Sequence, residues 1–583
     1  MTSIVQEPAS AWRDLRFQAD YIIDASWRLM AMQDGHPLSP TRGSFHYAYW
    51  RDKTSEFPDA RFQEAGATLG LLSLPAFDAE RTAGRLASSA NLYGAFADAL
   101  ANWERLQYPE GSFDEWYKGE RGFAATEFTT IAFCLAARLL GDRLDSEDRT
   151  RLVRVVGAAA SWLAERDDRI KANHQAAAAA ALALAYEVTG EKTLLGVAQR
   201  KLDDTLARQH PEGWFPEVGG MDLGYCSVLL DYVMIYSLVT GDNRAVPAMR
   251  RLFDFMLPLI HPDGTISAEM GLCLNPYVSR LGLGLLSAHH PPCAILMSYF
   301  VNHTPGRDAL RPYLADDLRL ARWSHLPLVT MLLGDRFAAP EKPNGFMHLV
   351  PRGWTMAEEA GVCAYHDDDL HVYCGAAGGG TVRVYRADAL IYEDSAPWLE
   401  NPNAAYCVAG YAPARLADRR SDGFGLRTRL GEARFVFPGW LPRLVLRAGA
   451  TTAIGSRLLR TAIDALRLRR HTAVNQSAAP VANENSPYVL ERNVSVAGRV
   501  VQIVDRLFSD GPLIDSTTLV SSITLHSTPQ RLPIAGEQSR GFVIAKSLDF
   551  GSSPHVGFHW TVTREGKCFS GESKLPVSTA TAP

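Results

Sequence analysis

Cysteine is scarce and scattered: eight in 583 residues (Cys134, Cys226, Cys273, Cys293, Cys363, Cys374, Cys407 and Cys568), with no CxxC pair. That spacing offers neither a zinc site nor a disulfide framework. Several of these residues lie inside apolar runs, as in Ala132-Phe133-Cys134-Leu135, where a thiol behaves as a small buried hydrophobe. A reducing compartment is expected, with no bound metal and no cofactor. An excess of one charge is also missing, since 59 Lys and Arg face 64 Asp and Glu for a net −5. Nucleic-acid binders usually carry a strongly basic face, so that class is excluded. Any polyanionic ligand must then find a local basic cleft in an acidic protein. No apolar stretch approaches the roughly 20 residues needed to cross a bilayer. The alanine-rich run Ala176 to Ala185 is too short and is bounded by polar residues. The start, Met1 to Pro8, has neither the basic opening nor the apolar core of a secretory signal. A cytoplasmic protein is expected, or a periplasmic one if the chain is processed. The run Gly378-Gly379-Gly380 lacks the Lys-Ser/Thr and helix of a phosphate loop. Nothing in the sequence fixes an oligomeric state.

What is present is a long chain of ordinary composition, 47% apolar and 21% charged, as in globular proteins generally. Its length exceeds what one hydrophobic core supports, so at least two domains are expected. Three apolar runs end alike: Leu139-Leu140-Gly141-Asp142, Val188-Thr189-Gly190-Glu191 and Val239-Thr240-Gly241-Asp242. Glycine after a periodic run is a helix stop signal, because it takes the left-handed conformation without a Cβ penalty. The three glycines are 49 and 51 residues apart. A second marker recurs in loops: Pro109-Glu110-Gly111, Pro211-Glu212-Gly213 and Pro262-Asp263-Gly264, at intervals of 102 and 51. A period near fifty with two helices per unit predicts stacked helical hairpins. These form either an open solenoid or an (α/α) toroid. The long, aromatic and acidic loops from Gly111 to Glu127 and from Gly213 to Tyr225 favour the toroid, with loops lining a cleft.

After Pro340-Glu341-Lys342-Pro343-Asn344-Gly345, a linker by composition, short runs rich in β-branched and aromatic residues dominate. Examples are Leu370 to Cys374, Thr381 to Tyr385 and Arg499 to Val504. They predict an antiparallel β-sandwich. The expected order is therefore an (α/α) toroid over residues 1–340, then a sandwich over 346–583. A basic, amphipathic helix from Ser456 to Arg470 is expected to pack on the sheet edge.

Repeat register locates a candidate site. Asn173 lies 17 residues before Gly190, Tyr225 lies 16 before Gly241, and Glu127 lies 14 before Gly141. Asn275 and Tyr277 follow one period beyond Tyr225. Equivalent positions in a toroid share one rim, so Glu127, Asn173, His174, Tyr225, Asn275 and Tyr277 should surround a common cleft. Glycoside hydrolysis usually needs two carboxylates flanking the bond, and Asn, His and Tyr are a different set. Elimination at a uronic acid needs donors that quiet the sugar carboxylate, plus a base for the C5 proton and an acid for the departing oxygen. Arg121, Arg169 and Lys171 lie near enough in sequence to lower a tyrosine pKa. Trp116, Tyr117 and Trp214 are candidate sugar-stacking platforms or core plugs. Asp222 and Glu127 are sugar ligands, general acids or helix N-terminal charges; Asn173 taken alone reads first as an N-cap, and the repeat register with the following histidine brings the two readings level.

Asn173-His174 at a helix start, followed by Tyr225 in Gly220-Met221-Asp222-Leu223-Gly224-Tyr225, resembles the heparinase II/III-like polysaccharide lyases and related alginate lyases. So do Gly43 to Trp50 and Gly111 to Tyr117, and the likeness extends over residues 40 to 395. The resemblance implies a toroid followed by a sandwich, acting without a cofactor on an acidic polysaccharide. It implies that Asn173 neutralises the sugar carboxylate, that His174 assists or acts as base, and that Tyr225 is base or acid. The sequence departs from the family at Gly375 to Thr381, where many members carry a histidine turn; His366 and His371 lie upstream as candidate substitutes. Two further functions remain open: a glycoside hydrolase using Glu127 or Asp222, and a glycan-binding protein without catalysis.

Overall fold

The computed structural model describes residues 16–576 except 218–219, 267–277, 303–313, 339–344, 377–379, 395–397, 402–403, 409–417, 421, 434–439, 471–479, 482–487, 510–517, 522–529, 534–540, 550–554 and 565–566. Helices come first. They are α1 (Arg16–Met32), α2 (Tyr47–Trp50), α3 (Glu64–Leu72), α4 (Asp78–Thr82), α5 (Ser89–Leu106), α6 (Phe123–Leu140), α7 (Ser146–Ala164) and α8 (Ala172–Thr189). The series continues with α9 (Thr193–Ala207), α10 (Leu223–Thr240), α11 (Val246–Met256), α12 (Leu281–Ser287), α13 (Pro291–Asn302), α14 (Asp317–Trp323) and α15 (His325–Leu332).

Two kinds of helix alternate. On α6, α8 and α10 almost every side chain is buried, as expected of helices that are apolar all round. The helices between them, α7, α9 and α11, bury one face only. The buried helices contact one another in a cycle: α3 with α6, α6 with α8, α8 with α10, α10 with α12, α12 with α15, and α15 back to α3. Two stretches, Phe123–Arg143 and Leu223–Thr240, are long and apolar enough to cross a membrane, which the sequence reading did not allow for. Both are mostly buried inside the protein, 89% and 78% of the apolar window, so their apolarity is accounted for by neighbouring helices.

The repeat is visible in the backbone. Gly190 and Gly241 close α8 and α10 in the left-handed conformation, and Gly141 closes α6 at φ 58°. Each Pro-x-Gly loop folds into the same turn. Gly111 N donates to Tyr108 O, Gly213 N to His210 O and Gly264 N to His261 O, each at 2.8 Å. A Cβ on Gly111 would stand 2.1 Å from Ala158 O, and one on Gly213 would stand 2.7 Å from Arg251 O. Only glycine lets the outer helix approach this closely.

Antiparallel sheets follow. The first contains β1 (Gly353–Ala357), β2 (Val362–His366), β3 (Leu370–Gly375), β4 (Thr381–Arg386) and β5 (Ala389–Asp394), in that order. Side chains alternate across it, as the two-residue period of a strand requires. Val362, Ala364, Tyr373 and Tyr385 join the core of the helical part, while Cys363, Leu370, Val372, Cys374, Val382 and Val384 join a second core. That second core is shared with a larger sheet, twelve strands among the described residues. Its centre is β6 (Gly423–Ala433), β7 (Tyr488–Ala497), β8 (Val500–Ser509) and β9 (Gly541–Asp549). Phe424, Leu426, Val494, Val501, Ile503 and Leu548 complete the apolar layer. The buried Arg492 ties the sheets together: its Nε is 2.6 Å from Asp505 on β8, and its Nη2 is 3.3 Å from Asp394 on β5. Cys134, Cys226, Cys293, Cys363 and Cys374 are free and buried.

Two helices interrupt the larger sheet, α16 (Trp440–Gly449) and α17 (Ala453–Arg470). The basic helix expected from Ser456 is therefore three residues longer at its start, and its contacts correct the sheet-edge expectation. Ser456 Oγ donates to Glu120 O at 2.9 Å, and Arg121 Nη1 to Ala450 O at 3.4 Å. The helix pair thus rests on the loop before α6. The segment 340–344 expected to be a linker lies outside the described residues.

The first sheet meets the helical part through histidines and tyrosines. His366 Nε2 lies 2.9 Å from Pro258 O, Tyr373 OH donates to Ile260 O at 3.1 Å, and Tyr385 OH lies 3.1 Å from His261 Nδ1. Burial holds His366 and His371 down to about 4, and His261 well below its usual value. A histidine whose folded pKa is depressed contributes stability that is complete above about 6.5 and is lost as pH falls toward its folded value. The buried Asp231, raised to about 7 by burial, acts in the opposite direction, so the informative quantity is a difference. The Tm gap between the wild type and His366→Gln should narrow between pH 7 and pH 4, measured by thermal unfolding. A gap independent of pH would contradict the assignment.

Candidate functional site

The starts of α6 and α8 lie side by side, with His174 of α8 next to Glu127 of α6, and Phe128 of α6 packs on Tyr232 of α10. The N-termini of these helices therefore share one rim, where unpaired N–H groups and helix dipoles favour acceptors and anions. Asn173 and His174 are the second and third residues of α8, Tyr225 the third of α10 and Glu127 the fifth of α6.

The N-cap of α8 is Lys171, not Asn173, and its side chain makes no cap bond. Capping comes from another loop: Asn173 N donates to Glu217 Oε1 at 2.8 Å. The Asn173 side chain is thereby left out of the cap. Its Oδ1 is buried without a hydrogen-bond partner, an arrangement rare enough to require an explanation. Burial pushes the Glu217 carboxyl well above its usual range, against the pull of the Asn173 N–H and of Lys171. His174 Nδ1 stands 2.9 Å from Glu127 Oε1 and 3.9 Å from Asp168 Oδ2. Glu127 is fully buried, and burial, aided by the Asp168 charge, raises its pKa strongly despite Arg61, Lys171 and Lys201. Two carboxyls beside the Asn-His pair are therefore held toward the neutral form.

The other expected residues divide. Tyr225 is half-buried, and its N–H donates to Asp222 Oδ1 at 2.8 Å. Asp222 is accordingly the N-cap of α10. Trp116 is 54% exposed, with Arg322 on its ring at 5.5 Å, and Tyr117 beside it is partly exposed. Trp214 is buried, stacked on His210 at 4.4 Å, with its indole N–H donated to Glu212. That burial makes it a plug in its loop, without the open face a sugar platform needs. Arg121 is held by Glu110 at 2.7 Å and lies over Tyr108, away from Tyr225. His371 is buried beneath the first sheet, its Nδ1 3.3 Å from that of His366. The antiparallel register pairs these two residues directly and so turns both toward the helical part. Asn275 and Tyr277 lie outside the described residues.

Spacing did not reach five groups at the same rim. Glu64 opens α3 and Arg61 lies in the 3-10 turn just before it, with Arg61 Nε donating to Glu64 Oε1 at 2.7 Å. Arg322 Nη1 donates to Glu115 Oε1 at 2.8 Å and its Nη2 to Asp59 Oδ2 at 2.5 Å. Arg61 also lies 4.3 Å over the Phe128 ring, whose centroid is 5.3 Å from that of His174. Burial raises Asp59 to about 6 and Glu64 to about 7, each opposed by an arginine. Among the described residues, no three His, Cys, Asp or Glu side chains are grouped as a metal ion requires.

Replacing Glu217 by Ala leaves the Asn173 N–H buried and unpaired, which costs about 1–3 kcal/mol. Glu217→Gln keeps the acceptor oxygen and the neutral charge. Urea unfolding should show the loss in Glu217→Ala and nearly wild-type stability in Glu217→Gln; equal losses would mean that the cap bond contributes nothing.

Residues 86–272 match the family model of the ulvan lyase N-terminal domain. No curated protein matches the sequence. Among solved structures, the chain is similar to the chondroitin AC lyase of Streptomyces coelicolor A3, determined in complex with chondroitin sulphate. The identity is 8% and the TM-score 0.51, over 97% of this chain and 79% of that one. Heparinase III aligns at 11% identity and TM-score 0.45, over 99% and 92% of the two chains. A mutant of the heparan sulfate lyase HepC from Pedobacter heparinus aligns at 10% and 0.37, over 99% and 91%. At such identities the chondroitin AC lyase match speaks for the fold alone. The stretch matched by the ulvan lyase model contains Glu127, Asn173, His174 and Tyr225, so the likeness to a polysaccharide lyase family covers the candidate site.

Proposed function

We propose that this protein is a polysaccharide lyase that cleaves a uronic-acid-containing polysaccharide or oligosaccharide by β-elimination. In this reading the cycle of buried helices is an (α/α) toroid over residues 1–340, and the paired sheets are a β-sandwich over 346–583. The observation that carries the proposal is the state of the rim. Asn173 has a buried amide oxygen outside the helix cap, and its neighbouring carboxyls Glu127 and Glu217 are pushed toward neutrality. A sugar carboxylate is repelled by ionised carboxylates and is welcome beside neutral ones.

The chemistry assigns each group a task. The Asn173 amide and His174 hydrogen-bond the uronate carboxylate and stabilise the enolate-like charge that develops when the C5 proton leaves. A base takes that proton, the C5–H electrons form the C4–C5 double bond, and the C4–O4 bond breaks. The departing oxygen then receives a proton. Tyr225, half-exposed at the start of α10, is the group we assign to proton transfer, with His174 as its alternative in the base role. The hydrolase reading is weaker, because Asp222 is engaged as the cap of α10.

Uronate polymers incubated with the protein should gain ultraviolet absorbance from the unsaturated product. Tyr225→Phe should lower that rate about 10²–10⁴-fold, and Asn173→Ala about 10²–10³-fold, with oligosaccharide binding retained in Tyr225→Phe. Reducing ends released without unsaturation would make the protein a hydrolase, and saturable binding without turnover would make it a glycan-binding protein.

A further inference from the structure

A cavity of about 570 Å³ opens between the loop joining α7 to α8 and the start of α17. It has the size of a small-ligand pocket, about 300–1,000 Å³. Trp162, Arg166 and Arg169 form one wall; Arg121, Ser456 and Arg457 contribute to the other. Arg166 is flat on the Trp162 indole, 4.3 Å from its centroid, and its Nη1 donates to Trp162 O at 2.9 Å. Burial holds the Arg166 guanidinium below its usual value, against the pull of the neighbouring Glu165 carboxylate, and the positive charge of Arg457, which lines the same cavity, adds to that lowering.

One carboxylate of the lining, the exposed Glu165, lies 3.3 Å from Arg166 Nη1, and the other nearby carboxylates have partners elsewhere. Glu110 pairs with Arg121, Asp167 with Lys201, and Asp168 accepts the backbone N–H groups of Ile170 and Lys171. Glu120 accepts from Glu115 N and Trp116 N. Among the described residues, no carboxylate pairs with Arg169 or Arg457. Two facing guanidiniums in a half-enclosed space repel each other, and a bound anion relieves that repulsion.

The far wall is fixed by its backbone. Gly119 has φ +81°, and a Cβ there would stand 2.2 Å from Ala450 O at the end of α16. Arg121 is held at φ 51°. Both residues donate their N–H groups to the Asp114 carboxylate, at 2.7 and 2.9 Å. The helix pair α16–α17 is thus seated on a rigid loop. The cavity also adjoins the candidate site, because Asp168 in its wall lies 3.9 Å from His174 Nδ1.

We infer that this cavity is an accessory subsite for a uronate residue of the polysaccharide, held between Arg166 and Arg457 while a neighbouring part of the same chain occupies the Asn173–His174 rim. The inference rests on the proposed lyase reading and adds to it: the α16–α17 insertion sets a preference for chain length.

The test compares oligouronates from dimer to decamer on the full-length wild type, Arg166→Gln, Arg457→Gln and Arg457→Lys. Unchanged Tm values certify folding, and direct calorimetric binding is measured beside turnover. Each glutamine variant should raise the KM and Kd of the decamer about tenfold, with dimer values and kcat within twofold of wild type, and Arg457→Lys should recover part of the loss. Equal effects on dimer and decamer, or none on either, would overturn the subsite. If the wild type forms no unsaturated product from any uronate polymer, the lyase reading falls by itself. Calorimetry then still decides the subsite: decamer binding weakened by Arg457→Gln upholds it, and binding indifferent to that change removes it.

Discussion

The close approach of an outer helix to the glycine of the preceding loop sets the pitch of the helical part. At Gly111 and Gly213 the carbonyls of Ala158 and Arg251 occupy the space a side chain would need. The same loops are cross-tied in the same way: Gln107 Nε2 donates to Gly111 O and Val155 O, and Gln209 Nε2 to Gly213 O and Ala248 O. Each unit is thereby locked to the next at a fixed height. The N-termini of the buried helices end at a common level because of that lock, and the rim chemistry depends on it. The alanines of α8 serve the same end. From Ala176 to Ala181 all are at most 1% exposed, so α6 and α10 can close on α8 from both sides.

Converging helix N-termini create an electrostatic problem as well as a pocket. Each presents unpaired N–H donors and a partial positive charge, and buried arginines add more. Asp59, Glu64, Glu115, Glu127 and Glu217 answer it from within the rim, all under 9% exposed. Arg61 and Arg322 balance the first three of these. Glu127 and Glu217 have no arginine hydrogen-bonded to them among the described residues, and burial drives them toward neutrality instead. The rim is consequently divided into an ion-paired side near α3 and α14 and a neutral side at α8, with the Phe128 ring between Arg61 and His174.

Much of this was legible in the sequence. The capping glycines Gly141, Gly190 and Gly241 and the turn glycines Gly111, Gly213 and Gly264 all adopt positive φ, so the repeat read from spacing is the repeat in the backbone. Register placed Asn173, His174, Tyr225 and Glu127 at helix starts for the same reason. The unreadable part is what closes the cycle. Arg322 meets Asp59 across 263 residues of sequence and Glu115 across 207, and no local pattern announces such pairs. Glu217 escaped notice because it caps a helix 44 residues earlier, where local reading looks for the cap at Lys171 or Asn173. The α16–α17 pair was given its amphipathic character but not its seat, since the fit of Gly119 beneath Ala450 depends on two loops 331 residues apart.

A net charge of −5 and the proposed polyanionic substrate are compatible on these terms. Charges on exposed surfaces are screened beyond about 8 Å at physiological ionic strength, so the total matters less than what lies within reach of the proposed sugar acid. Within that reach the protein removes negative charge by burying Glu127 and Glu217. It engages the remaining carboxylates with backbone N–H groups and arginines, and leaves guanidiniums facing the cavity next door. Desolvation of those carboxyls opposes folding, and the cost is met by the apolar helices packed around them. Affinity for an anion can then come from local neutrality and a few guanidiniums, without the basic surface whose absence first argued against nucleic acid.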